Sequence, residues 1–190
     1  MVYHFSGWIL YSFIILYFIL ALILKLRFKK NYTYLLFYTI LYIYLCNVIN
    51  LTQFPIYVDN DQREAFGGQN VWREMNFIPF KYEFTKLSFY NILMTVPLGF
   101  GLPFLIKASF KKIFIVGLLT GLIFESGQLL TALYAGYTFR FVDIDDVIFN
   151  LSGTLIGYLI FFKLFKLTFK LLVNKWNIQF NSIVKHIYNA

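Results

Sequence analysis

The sequence predicts an all-α fold: a polytopic integral membrane bundle of about five transmembrane helices that forms a single domain over residues 1–190. Two observations support this fold class. Hydrophobic residues make up 59% of the chain and charged residues only 14%, whereas about a quarter of the residues of a soluble domain are charged. The second observation is a set of five apolar segments, each long enough to cross a bilayer.

The five predicted spans are apolar runs separated by polar or basic connections. They cover residues 6–24, 33–54, 88–106, 113–134 and 147–169. The first is predicted to be a span and not a signal peptide, because its basic cluster, KLRFKK, follows the apolar run. The fifth has lysines in its second half, which would also suit an interfacial helix. We favour a span whose inner end directs those lysines to the headgroups.

Charge is sorted between two sets of connections. The regions after spans one, three and five hold twelve cations and no acid. The positive-inside rule assigns these regions to the cytoplasm. The chain is therefore predicted to be a multi-pass protein of the cell membrane, with an extracellular N-terminus and a cytoplasmic C-terminus. Its net charge of +8 then reflects orientation, and no nucleic-acid partner is predicted.

The opposite side holds residues 55–87 and 135–146, which contain eight of the nine acids. The first outer loop is long for a compact connection, and such loops often carry function. Its start is polar and contains a Gly-Gly pair. Its second half is expected to fold back onto the outer leaflet, with Trp72, Phe77 and Phe80 at the interface. The alternative is an ordinary interfacial loop with an aromatic belt.

The ninth acid, Glu125, lies inside span four. An ionisable side chain at membrane depth costs roughly 2.5–3.5 kcal/mol on insertion scales, so it needs a partner or a function. Because a helix turns by about 100° per residue, one stripe of span four, about 80° wide, collects several small and polar residues. They are Gly117, Gly121, Glu125, Gln128 and Ala132, and a similar stripe of span five collects Asp146, Asn150, Gly153 and Gly157.

The small residues of both stripes predict close helix packing. Because residues 135–146 form a short connection, spans four and five are expected to be antiparallel neighbours whose glycine seams face each other. Glu125 and Gln128 would then point toward Asp146 and Asn150, in a pocket that opens toward the outer leaflet.

The connection between these spans adds more charged residues. Arg140 is the only cation near the acids, so it is predicted to pair with Glu125 or an aspartate. Asp145 is predicted to be the N-cap of span five. For Asp143 and Asp146, helix capping and a functional role both stay open.

Span three contributes Asn91 at the level of the pocket, either as a ligand contact or as a hydrogen-bond partner between helices. Pro97 is expected to kink this span with Gly99. The carbonyl of Leu93, four residues before the proline, then needs a donor from a neighbouring helix.

Four sequence blocks occur in a characteristic order and spacing: NFIPF, NILMTVPLGFGLP, FESGQLL and RFVDIDDVIFNLSGTLIG. Together they resemble the VanZ-like membrane protein family, over about residues 71–160. The first two spans match no family block. The resemblance carries seven polar positions over to this chain as candidate ligand-binding residues: Asn91, Glu125, Gln128, Arg140, Asp143, Asp146 and Asn150.

The resemblance implies low-level resistance of Gram-positive bacteria to teicoplanin-type lipoglycopeptide antibiotics, without an altered cell-wall precursor. It supplies a phenotype and not a mechanism. The favoured hypothesis is a non-enzymatic protein whose outer pocket binds an amphiphile, which could be the antibiotic, a lipid-linked wall precursor or a membrane lipid.

The alternative is a membrane-embedded enzyme that acts on a lipid-linked cell-envelope substrate. Glu125 with Asp143 or Asp146 would be its general acid/base pair, or these acids would hold Mg²⁺ or Ca²⁺. Proton transport through Glu125 is a third hypothesis, disfavoured because the chain has no inverted repeat. No cofactor and no dedicated metal ligand set is predicted, and the glycine seams would allow an oligomer.

Overall fold

The architecture follows from five long apolar helices, of which the second and third are joined by the long outer loop. The computed structural model describes residues 1–58, 60–65 and 70–190. The Gly-Gly pair of the outer loop, at positions 67 and 68, lies outside the described residues. In chain order the helices are α1 (Gly7–Leu26), α2 (Tyr32–Gln53), α3 (Asn60–Ala65), α4 (Lys86–Gly101), α5 (Phe110–Ala135), α6 (Ile144–Ile156), α7 (Lys163–Lys175) and α8 (Ser182–Asn189).

The five predicted spans are confirmed as helices within the part of the chain that the structure describes. α1, α2 and α5 are each long and apolar enough to cross a membrane, and so are α4 with the 3₁₀ turn Leu102–Phe104 that extends it and the continuous helix Ile144–Lys175. The fifth span joins α6 to α7 through a π-helical turn, Gly157–Phe162. Among residues 1–58, 60–65 and 70–190, the bundle is thus all-α apart from one short pair of strands.

That pair of strands ties the N-terminus to the first outer loop. β1 (Val2–Tyr3) pairs antiparallel with β2 (Ile56–Tyr57), just after α2. The Met1 ammonium also donates a hydrogen bond to the Val58 carbonyl over 2.9 Å. The N-terminus and the 55–87 loop therefore lie on the same side of the bundle, as alternating spans require.

α5 and α6 pack antiparallel in a fixed register. A Cβ on Gly121 would lie 2.9 Å from Val147 Cα, and a Cβ on Gly117 would lie 3.0 Å from side-chain atoms of Leu151 and Thr154. The glycines of span four therefore face span five as predicted, and they let its backbone approach closely.

The glycines of span five face a different helix from the one predicted. A Cβ on Gly153 would overlap the Ile92 carbonyl of α4, and one on Gly157 would overlap the Val96 carbonyl. In return, Gly99 of α4 lies against the Thr154 carbonyl. The predicted contact between the two glycine stripes is therefore wrong for span five. One face of α6 packs on α5, whereas its glycine stripe packs on α4.

Pro97 lies inside α4, as the sequence indicated. The neighbouring α2 supplies a donor close to the break, because the Tyr44 hydroxyl donates to the Met94 carbonyl over 2.5 Å. This bond also fixes α2 beside α4 halfway along the span.

At the opposite end of the bundle, the C-terminal helix folds back on an aromatic cluster. Phe37, Phe100 and Phe104 pack there with the buried Ile113, Tyr158 and Phe162. His186 of α8 stacks on Phe37 with ring centroids 4.8 Å apart, and its Nε2 lies 2.7 Å from the Phe104 carbonyl. His186 is thus a partly buried packing residue.

The orientation of the bundle remains a prediction from charge, and cysteine labelling tests it. In a Cys46→Ala background, a membrane-impermeant maleimide should label Asp61→Cys in intact cells but label Lys111→Cys only after permeabilisation. Both side chains are exposed, on opposite sides of the bundle. The reverse pattern would invert the topology.

The close packing of α4 on α6 predicts a strong effect of one methyl group. Gly153→Ala should destabilise the protein by about 1–3 kcal/mol, because the added Cβ overlaps Ile92 backbone that cannot move alone. Gly101→Ala is the matched control, since its Cβ meets only the end of the Leu41 side chain, at 3.0 Å. Unfolding of the purified protein in detergent measures both, and equal stability of the two variants would contradict the packing argument.

Candidate ligand-binding groove

The connection between α5 and α6 descends into the bundle instead of passing over its outer end. α5 ends at a left-handed Gly136, after which Tyr137, Thr138 and Val142 are buried. The connection returns to the side of α5 at Glu125, which lies about 15 Å along the helix axis from the end of α5. α6 therefore begins below the outer end of α5.

Glu125 is the residue of α5 to which this connection is hydrogen-bonded. Its side chain is only 5% exposed, and its Oε2 accepts a hydrogen bond from the backbone N–H of Asp143 over 2.9 Å. The carboxyl groups of Asp146 and Asp143 lie close enough to interact with it electrostatically. The membrane-embedded acid thus binds the backbone that leads into α6.

Asp143, and not Asp145 as predicted, is the N-cap of α6. Its Oδ1 accepts the N–H of Asp145 over 2.9 Å. Asp145 is buried and serves a different contact, since its Oδ1 accepts the N–H of Phe80 over 2.7 Å. The cap shifts by two residues because the helix begins at Ile144, earlier than the apolar run in the sequence suggests.

Asn76, from the NFIPF block, holds the first outer loop against the same helix start. Its backbone N–H donates to the Val142 carbonyl over 2.9 Å, and its carbonyl accepts the N–H of Ile144 over 3.0 Å. Its side-chain amide donates to Asp143 Oδ1 over 2.9 Å. Sequence reasoning quoted this block but did not single out Asn76; a lone amide between aromatic residues was the available signal.

The aromatic residues after Asn76 stay on the surface. Phe77, Ile78 and Phe80 are exposed, as is Trp72 before them. A docked backbone with outward apolar side chains is what an outer-leaflet interface would need. The predicted insertion of this half-loop into the leaflet remains a prediction.

Arg140 bonds to a helix end and not to an acid. Its Nη1 donates to the carbonyls of Leu51 and Thr52, each over 2.7 Å, and its Nη2 donates to the Phe54 carbonyl over 2.8 Å. None of the hydrogen bonds that the structure describes for Arg140 reaches a carboxylate, so the predicted pairing is wrong. The last carbonyls of α2 lack partners within the helix and carry its negative dipole end, which favours a cation there.

Burial lowers the pKa of the Arg140 guanidinium from its ordinary value, and the nearby Tyr57 opposes this shift. An arginine keeps its proton in proteins even so. Arg140 therefore acts as a charged clamp that holds the C-terminus of α2 to the connection between α5 and α6.

A groove of about 1120 Å³ lies between α2 and α4, closed at its outer end by residues 139–146. Its walls are mainly apolar and aromatic. They include Tyr44, Val48 and Leu51 from α2, Leu87, Tyr90, Leu93, Met94 and Pro97 from α4, and Phe139, Phe141 and Phe149 from the α5–α6 region. The contribution of α2 was not predicted, although its polar residues Asn47 and Thr52 also line the groove.

The polar residues gather at the outer end of the groove. Of the seven candidate residues, five line it, namely Asn91, Gln128, Arg140, Asp143 and Asp146, together with Asp145 and Glu83. Asn91 lies beside the Asp146 carboxylate. The structure therefore brings most of the candidate set to one surface, and the ligand-binding role of these residues stays a prediction.

The other two candidates, Glu125 and Asn150, are buried behind the groove. Asn150 is only 2% exposed, and its carbonyl accepts the Thr95 hydroxyl of α4 over 2.7 Å. Its Oδ1 has no hydrogen-bond partner among the residues that the structure describes. Both residues support the lining from behind.

The acids at this end are not arranged as a metal site. Within residues 1–58, 60–65 and 70–190, no three His, Cys, Asp or Glu side chains are placed to hold a metal ion together. Two of the acids direct an oxygen to backbone N–H groups instead.

The bond between Glu125 and Asp143 predicts which replacement is tolerated. Glu125→Ala should destabilise the protein by about 1–3 kcal/mol, because it leaves the partly buried Asp143 N–H without its acceptor. Glu125→Gln keeps a side-chain oxygen there and should stay close to wild type. Unfolding in detergent measures both, with the exposed Ser126→Ala as control. If Glu125→Gln is as unstable as Glu125→Ala, the charge itself is required.

Comparison with known proteins identifies the family of the chain. The chain matches the VanZ/LLP1 family over residues 8–167. The match extends beyond the blocks at 71–160 and includes the first two spans, which matters because α2 forms one wall of the groove. No curated protein and no solved structure matches the chain. With most of its length in the match, the chain belongs to the VanZ/LLP1 family.

Proposed function

We propose that this protein binds an amphiphilic ligand in the groove between α2 and α4, and that this binding confers low-level resistance to teicoplanin-type lipoglycopeptide antibiotics. The observation that carries the proposal is the groove itself, with apolar walls and a polar outer end. Ligand sites of this kind combine a mostly apolar lining with a few placed polar groups. The antibiotic part comes from the family resemblance.

The same geometry favours binding over the enzymatic alternative. Glu125 lies behind the lining and accepts a backbone N–H, whereas a general acid or base needs to reach the substrate. Asp143 is already the N-cap of α6 and also accepts from Asn76. The side chain of Asp146, which also lines the groove, has no described hydrogen bond to the backbone.

Filling the groove tests the proposal. Leu51 and Leu93 line it, one on each wall, and are 66% and 53% exposed. The double variant Leu51→Trp, Leu93→Trp places two indole rings in the space for the ligand. We expect binding to weaken by about tenfold or more, a loss of about 1.4 kcal/mol, and teicoplanin resistance of a susceptible Gram-positive host expressing the gene to be lost.

The matched control is Leu119→Trp with Leu130→Trp on α5. These leucines are 50% and 67% exposed and do not line the groove. Both variants add the same bulk to apolar surface, and membrane abundance is checked by immunoblot. Resistance that survives in the groove-filled variant at normal abundance would refute the proposal.

A further inference from the structure

We infer that the groove holds an outer-leaflet lipid whose head group is cationic, such as one with a protonated amine. This inference rests on the proposed function, because it names the ligand class of the same groove. Two separate observations support it: the shape of the groove walls and the charge at the outer end of the groove.

The walls suit a lipid in one leaflet. They run from Tyr44 to Thr52 on α2 and from Leu87 to Pro97 on α4, which is about 12 Å and 15 Å along the helix axes. Half of a hydrocarbon core about 30 Å thick has the same depth. The volume of about 1120 Å³ also exceeds the range of about 300–1,000 Å³ usual for small-molecule pockets. A tail that enters sideways from the bilayer fits these dimensions.

The outer end of the groove carries an excess of negative charge. Among the described residues that line it are four carboxylates and one cation, Arg140. The two terminal nitrogens of Arg140 donate to carbonyls at the C-terminal end of α2, and none of its described hydrogen bonds reaches the acids. Like charges this close destabilise one another unless an opposite charge joins them.

The carboxylates also retain free acceptors. The described hydrogen bonds of Asp143 and Asp145 use only Oδ1 of each side chain. One turn below Asp146, the buried Oδ1 of Asn150 has no described partner. Side chains of a helix lean toward its N-terminus, so the Asn150 side chain leans, from behind the lining, toward the turn that carries the acids. Acceptors without donors suit an ammonium group, which has donors only.

The described residues that line the groove offer a phosphate head group no comparable set of free donors. The N–H groups at the start of a helix can bind an anion when they are free. Here the N–H of Asp143 is bound to Glu125, that of Ile144 to Asn76, and those of Asp145 and Asp146 to Asp143. The helix start is therefore already satisfied, and an anion would meet the carboxylates.

Photolabelling in nanodiscs of zwitterionic lipid tests the inference. Three photoreactive diacyl lipids share the same tails and differ only in the head: a protonated amine, a neutral hydroxyl or a phosphate. We expect the amine lipid to label the peptides of α2 and α4 that line the groove about tenfold more than either other lipid. Asp145→Asn with Asp146→Asn should abolish this preference, since the amide oxygens keep the shape. Asp61→Asn with Glu74→Gln, two exposed acids outside the lining, should keep it.

The outcomes separate this inference from the proposed function. Equal labelling by all three lipids, a preference for phosphate, or an amine preference that survives Asp145→Asn with Asp146→Asn would overturn the cationic head group while the groove still binds lipid. Labelling no stronger than in the groove-filled Leu51→Trp, Leu93→Trp variant would remove both the inference and the proposed function.

Discussion

The structure depends on how the first turn of α6 satisfies its backbone inside an apolar bundle. A helix start leaves N–H groups without partners within the helix, and no water reaches them at membrane depth. Glu125, Asn76 and Asp143 accept these hydrogens. Glu125, which is costly to place in a transmembrane helix, therefore accepts a backbone hydrogen bond from the start of α6. This bond fixes the depth at which α6 begins.

Two connections are positioned by this helix start, and each closes part of the groove. The first outer loop is held by Asn76 and by the bond from Phe80 to Asp145. The α5–α6 connection reaches across through Arg140 to the end of α2. α2 also packs on α1, α5 and α8, and its described hydrogen bond to α4 is the one from Tyr44. The groove lies between α2 and α4, on the side of α2 that these other helices do not cover.

The sequence was sufficient for the spans and for the polar faces, because length, hydropathy and helical periodicity are local properties. It was not sufficient to predict which residues of different helices contact each other. Periodicity places Gly153 and Asp146 on one face of α6 but does not say which helix that face meets, and α4 occupies it. Arg140 was assigned to acids on charge alone, although unsatisfied carbonyls at a helix end attract a cation as well. Both errors concern contacts to main-chain carbonyls. Every residue has such a group, so the sequence does not indicate which of them forms a contact.

The same reasoning explains why the acids at the groove are separable in role. Glu125, Asp143 and Asp145 each direct an oxygen to main-chain N–H groups, and an asparagine or glutamine could provide that oxygen. Asp146 lines the groove, and the Asn91 side chain is its described hydrogen-bond partner. A neutral amide would serve the fold equally well at each of these positions, so hydrogen bonding alone does not explain why all four residues are acids. The three aspartates share a position at the outer end of the groove, and a field of one sign there acts on a charged ligand.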